Sequence, residues 1–208
     1  MVGGVKATFI ALLAFSLCLS AVGADKKSLI ADPIVEKAIR ETFFFHKGNL
    51  TKADLTKVTR LVLSDTQITD KGLIEVAKLQ NLKVLKLAVT KITDKGVKEL
   101  ANLKLLSELD LYDTQITDAG LKGLANLQKL NKLILAGNKI TDANLKDLAN
   151  LKNLKHLILN GTHITDAGLK DVAKIQSLIR LYLGGTKVTK GGVVELKKTL
   201  PKCLIFGP

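Results

Sequence analysis

The sequence predicts an α/β solenoid: a right-handed, curved coil with parallel strands on its concave face and helices on its convex face. Three observations carry that prediction. First, one short phrase recurs six times, as Thr66-Gln67-Ile68-Thr69-Asp70, Thr90-Lys91-Ile92-Thr93-Asp94, Thr114-Gln115-Ile116-Thr117-Asp118, Asn138-Lys139-Ile140-Thr141-Asp142, Thr162-His163-Ile164-Thr165-Asp166 and Thr186-Lys187-Val188-Thr189-Lys190. The step is 24 residues each time, and a fixed period in that range marks stacked repeats. Second, hydrophobic spacing switches once per repeat, from two in Leu109-Asp110-Leu111 to helical spacing in Leu121, Leu124, Ala125 and Leu127. Third, aliphatic side chains fill the recurring slots, with 4% aromatics and no Trp.

Residues 1–24 read as an address rather than a fold. Lys6 precedes an almost wholly apolar run from Phe9 to Leu19, then come small residues at Ala21, Gly23 and Ala24 and charges from Asp25. That is the layout of a secretory signal peptide, cut after Ala24. It implies an exported protein (periplasm, cell surface or extracellular) with no membrane span after cleavage. The alternative is an uncleaved anchor, although the run is marginally short for a spanning helix of about 20 residues. Cleavage removes Cys18 and leaves Cys203 alone, so no intrachain disulfide can form. Cys203 reads as a small buried hydrophobe, with a thiol free to pair between chains as the alternative.

Residues 25–59 form a helical N-terminal cap. Asp32 suits a helix cap and Pro33 the first helical position, where a missing N–H costs nothing. Ile34, Val35, Ala38, Ile39 and Phe43 follow at helical spacing, and Gly48 is the expected stop. Phe43, Phe44 and Phe45 are expected to plug the open end of the coil. Thr51 and Asp54 resemble a capping box that starts a second short helix.

Residues 60–189 hold six repeats of the form L-x-L-x-x-T-x-I-T-D-x-G-L-x-x-L-A. The paired leucines belong to a short strand, and the stretch after the Asp to a helix of roughly three turns. The Thr column, with Asn138 substituting, is expected to bond backbone groups left bare as the chain leaves each strand. The Asp column sits where a helix begins, where exposed N–H groups favour negative charge. Its regularity raises cation binding, but a calcium loop needs several oxygens from one short segment, so no metal is assigned. The Gly column, with Asn144 in the fourth copy, implies either close backbone approach or a left-handed conformation. Ala77, Ala101, Ala125, Ala149 and Ala173 are small enough for tight helix stacking. Residues 190–208 close the array with a last helix, a stop at Pro201 and a short apolar tail.

These motifs resemble leucine-rich repeat proteins over about residues 50–206. The 24-residue I-T-D-x-G-L-x-x-L-A form is similar to repeats of secreted bacterial proteins and of eukaryotic F-box adaptors, and the N-terminal cap is similar to that of internalin-like proteins. No F-box segment precedes the repeats and a leader does, so the resemblance gives little support to a ubiquitin-ligase role. What it implies is the curved solenoid and a binding rather than catalytic role.

The residues themselves agree on the second point. His46, His156 and His163 do not converge, no Cys–His pair has metal-ligand spacing, and no nucleophile motif occurs. No enzyme activity and no cofactor are expected. The net charge of +13 reads as a solvated basic surface or as attraction to an anionic polymer; nucleic acid is a poor fit, given the few aromatics and the leader.

The side chains that the fold leaves free lie on the concave face. One column reads Val62, Lys86, Asp110, Ile134, Ile158, Tyr182; its neighbour reads Ser64, Ala88, Tyr112, Ala136, Asn160, Gly184; the strand starts read Arg60, Val84, Glu108, Lys132, His156, Arg180. Ile134, Ile158 and Tyr182 are expected side by side with Tyr112 on the diagonal, and Glu108 and Asp110 as an acidic spot. The leading expectation is a monomeric binding module that takes an unknown protein or peptide on these residues. The alternative is a structural, envelope-associated repeat protein held to anionic polymer by its basic surface.

Overall fold

The computed structural model describes residues 28–43 and 48–208. The leader and the residues Phe44, Phe45 and His46 lie outside them, and with them most of the expected aromatic plug.

The chain enters through helix α1 (Pro33–Phe43). Asp32 Oδ1 accepts from the N–H groups of Ile34 and Val35 at 2.9 and 3.1 Å, satisfying donors that the first turn leaves bare. The capping box forms ahead of α2 (Lys52–Lys57), with Asp54 N–H donating to Thr51 Oγ1 and Thr51 N–H donating to Asp54 Oδ2.

Seven strands then make one parallel sheet in chain order: β1 (Arg60–Val62), β2 (Val84–Lys86), β3 (Glu108–Asp110), β4 (Lys132–Ile134), β5 (His156–Ile158), β6 (Arg180–Tyr182) and β7 (Leu204–Phe206). Each residue pairs with the one 24 positions on, as Leu85 with Leu109 and Leu181 with Ile205. The ladder continues past the assigned strands, since Leu63 N–H donates to Lys86 O and Asp65 N–H to Ala88 O. The seventh strand is an addition to the six expected, and it comes from the apolar tail.

Helices α3 (Asp70–Val76), α4 (Asp94–Glu99), α5 (Asp118–Leu124), α6 (Asp166–Val172) and α7 (Lys190–Thr199) run along the other side. The first four have six or seven residues, about two turns rather than three, because the chain must return to the sheet within the period. Between helices and sheet runs one continuous buried cluster, from Ile30 through Leu61, Leu85, Leu109, Leu133 and Leu157 to Leu200 and Cys203. Burial pushes the Cys203 thiol pKa up, which makes it a poor nucleophile. No described helix is long and apolar enough to cross a membrane.

The Asp column binds across repeats rather than within them. The side-chain cap, where one forms, comes from the preceding Thr: Thr117 Oγ1 accepts from Ala119 N–H. The carboxylate of Asp94 instead accepts from Thr117 N–H at 2.8 Å and Thr117 Oγ1–H at 2.6 Å, in the next repeat. The same staple joins Asp70 to Thr93, Asp118 to Thr141, Asp142 to Thr165 and Asp166 to Thr189.

The staple explains the Gly column. A Cβ on Gly96, Gly120, Gly168 or Gly192 would fall closer than 3.0 Å to the carboxylate of the preceding repeat's Asp, so the requirement is close approach, not a left-handed backbone. Asn144 breaks the rule, and there the α-helix is replaced by a 3₁₀ segment, Leu145–Asn150, while Asn144 Nδ2 donates to Asp118 O.

The left-handed position lies elsewhere, at the end of each strand: Asp65, Val89 and Asp113 have φ of 59°, 56° and 47°, and Gly137, Gly161 and Gly185 have 74°, 67° and 71°. One residue later the Thr column closes the turn, as expected; Thr90 Oγ1–H donates to Leu87 O, and buried Asn138 Nδ2 donates to Leu111 O and Leu135 O. Every buried side-chain polar atom among the described residues has a partner.

Candidate binding face

Strands β1 to β6 each point a middle leucine into the core, β7 packs Ile205 against it, and the two flanking side chains of each strand face away. The flanking side chains build two parallel columns across the sheet, in register because every strand is offset by the full period.

The column through the third strand residue changes character halfway. Lys86 and Asp110 precede Ile134, Ile158 and Tyr182, and β7 adds Phe206, which pairs with Tyr182. The Tyr182 and Phe206 rings stack with centroids 4.6 Å apart and planes at 12°, an aromatic pair that contributes beyond the area it buries. Ile134, Ile158 and Tyr182 are half-buried by their neighbours, whereas Phe206 stays 45% exposed at the edge. Tyr112 lies on the adjoining column, 46% exposed. Its Cε2 stands 3.5 Å from where a Cβ on Gly137 would lie, so its ring leans towards the fourth repeat.

Glu108 and Asp110 do not form a free acidic spot. Lys86 Nζ lies 2.5 Å from Glu108 and 3.8 Å from Asp110, and Lys132 Nζ lies 3.0 Å from Glu108. Burial works to raise the Glu108 pKa, but the two ammonium groups outweigh it and hold the carboxyl below its usual range. The network is a neutralised boundary at the head of the apolar column.

The column at the strand starts is basic past that boundary, with Lys132, His156 and Arg180 on β4 to β6. Burial first, then the positive charges of Arg180, Lys132 and Lys155, hold His156 below the ordinary imidazole pKa. Among the described residues no carboxylate lies within ion-pair distance of Lys155 or Arg180. Beside them lies an open trough of about 650 Å³, lined by Ser107, Glu108, Lys129, Asn131, Lys132, Asn153, Lys155 and His156.

The family model described as Leucine Rich repeat matches residues 54–77, 78–101, 102–125, 126–149 and 150–173. This chain belongs to the leucine-rich repeat family. No curated protein sequence matches it. Among solved structures, this leucine-rich repeat chain is similar to internalin C2 from Listeria monocytogenes, at 27% identity and a TM-score of 0.64, over 85% of this chain and 83% of that one. It is similar to an internalin (inlF) from the same organism, at 23% identity and a TM-score of 0.64, over 86% of this chain but 56% of the other. The chain thus spans little more than half the length of that internalin. A plant peptide hormone receptor, RGFR1, in complex with RGF2, shares the fold at 21% identity and a TM-score of 0.52, over 76% and 30% of the two chains.

Of the site residues expected from sequence, the leucine-rich repeat sheet brings Ile134, Ile158 and Tyr182 into one line, sets Tyr112 beside it, and ties Glu108 and Asp110 into ion pairs. Phe206 and Leu204 were missed. A signal for them existed: Leu204, Ile205 and Phe206 stand 24 residues after Arg180, Leu181 and Tyr182, so the tail keeps the strand pattern after the helical motif has ended. No group of three or more His, Cys, Asp or Glu side chains suited to a metal occurs among the described residues.

Proposed function

We propose that this chain is a non-enzymatic, exported binding module that recognises a protein or peptide through its concave face. The observation that carries the reading is the line Ile134–Ile158–Tyr182–Phe206. Four apolar side chains stand consecutively on the one face of the sheet that the core does not use, and such contiguous apolar area marks contact surfaces. The plant receptor, a solenoid of the same fold, is found in complex with RGF2. Export rests on the leader read at residues 1–24, with 25–59 as cap, 60–189 as repeats and 190–208 as closing unit.

A second reading, an envelope-associated repeat protein held to anionic polymer, is favoured by Lys155 and Arg180, which have no carboxylate partner among the described residues, within a chain of net charge +13. A pull-down from the producing cell's envelope and medium separates the two, comparing the protein with an Ile134→Ala/Ile158→Ala/Tyr182→Ala variant at low and high salt. A partner held by the protein and lost by the variant already at low salt supports the concave face. Material retained by the variant and released by salt overturns it, because screening acts on charge and not on apolar burial.

A further inference from the structure

Two features of the concave face coincide in the C-terminal half. The apolar line crosses β4 to β7, and alongside it run the cations Lys132 and Arg180, with the imidazole of His156 between them and Lys155 adjoining it. Strand pairing sets His156 between Lys132 and Arg180, and Lys132, Lys155 and His156 line the same open trough. Glu108 offsets part of the charge at one end, through Lys132 at 3.0 Å, and among the described residues no carboxylate stands within ion-pair distance of Lys155 or Arg180. Like charges gathered without counter-charge repel one another, and an anion brought among them relieves that repulsion. On the opposite flank of the apolar line stand Ala136, Asn160 and Gly184, with the Tyr112 ring at its head, and the short side chains past that ring leave room for a backbone to lie close.

We infer that the partner of this face is an extended, acidic polypeptide segment, with apolar side chains seated along Ile134, Ile158, Tyr182 and Phe206 and carboxylates directed to Lys155 and Arg180. The inference rests on the concave-face reading given above and names the chemistry of its ligand. The line spans three strand spacings, about 14 Å, which is four or five residues of extended chain at about 3.3 Å each. Alternation of side chains along such a segment turns every second one toward the sheet and frees the others to reach sideways. An anionic polysaccharide satisfies the cations but leaves the apolar line uncovered, so a polypeptide fits both halves of the surface.

Display selection from a random twelve-residue peptide library against the protein purified from its producing cells tests this. The expected result is enrichment of peptides that combine Asp or Glu with aliphatic or aromatic residues. A selected peptide then loses at least tenfold in affinity on Arg180→Glu or Lys155→Glu, and on Ile158→Ala. Replacing its acids by Asn or Gln has a similar effect, and circular dichroism checks that each variant is folded. Enriched peptides without acidic bias, sensitive to Ile158→Ala but indifferent to Arg180→Glu, overturn the inference while leaving the concave-face reading intact. Enriched peptides indifferent to both substitutions, or no enrichment above background, overturn both.

Discussion

Gly168→Ala tests whether the Asp and Gly columns are one device. An added Cβ at Gly168 meets Leu145 Cδ1 at 2.8 Å and Asp142 Cγ at 3.0 Å, and it overlaps Asp142 Oδ1. The leucine methyl is a flexible end and can turn aside. The carboxylate cannot move without losing its bonds from Thr165 N–H and Oγ1–H, at 2.9 and 2.7 Å. Hydrogen bonds to a charged group contribute about 1.5–3 kcal/mol each, and alanine's preference for helix over glycine returns about 0.5–1 kcal/mol, so the net loss is on the order of 2–5 kcal/mol. Gly123→Ala is the control: it also lies in a helix, but its Cβ meets only Lys98 atoms at 3.4–3.5 Å, and it is expected to be neutral or slightly stabilising. Urea unfolding followed by circular dichroism gives the differences. Once Asp142→Ala has removed the carboxylate, Gly168→Ala is expected to cost less than about 1 kcal/mol, a coupling of the size seen between contacting residues. A loss below 1 kcal/mol in the single variant, or strict additivity in the double one, refutes the argument.

Two other outcomes follow from the geometry. Val89→Gly relieves a β-branched residue held at a φ of 56°; the left-handed penalty of about 1–2 kcal/mol, less the extra freedom glycine gains in the unfolded chain, leaves a gain of about 0.5–1 kcal/mol, read as a higher urea midpoint. His156 titrates below its usual 6.5, and Arg180→Gln is expected to move it upward in an NMR titration. The sign for stability follows: above 6.5 both folded and unfolded His156 are neutral and the site contributes no pH dependence. Below it the unfolded chain takes the proton more readily, so stability falls until the pH has passed the folded value. Arg180→Gln shrinks that fall, and an unmoved titration midpoint shows that Arg180 does not act on His156.

The strands, the leucine core and the helix caps were legible because they depend on spacing alone: Leu61, Leu85 and Leu109 recur at 24 and alternate with neighbours that vary from repeat to repeat, and Asp32-Pro33 and Thr51-x-x-Asp54 are local signals. The Asp column was legible as a column but not as a staple. A repeat written as one line shows what stands beside Asp94 in sequence, not that its carboxylate reaches Thr117, 23 residues on, rather than its own helix. The ambiguity in the Gly column has the same origin, since only the neighbouring repeat holds the atom that forbids a Cβ. Helix length was overestimated because Leu127 keeps helical spacing with Leu124 although α5 has ended at Leu124. The candidate face was legible as columns, for strand pairing fixes them, but its ends were not. Lys86 and Lys132 neutralise Glu108 from strands on either side, and Phe206 enters through a strand that lacks the motif of the others.

The staples also bear on how such a chain can grow or shrink in evolution. Each Asp of the column serves the unit after it and each Thr from Thr93 on the unit before, so every inner unit presents the same socket on one side and the same plug on the other. A 24-residue duplication inside the array brings its own carboxylate and its own hydroxyl, and leaves both flanking joints as they were. Duplicating the unit that carries Ile158 would lengthen the apolar line by one strand spacing, about 4.8 Å, and the gene can thus adjust the reach of the surface in whole steps without reworking the core.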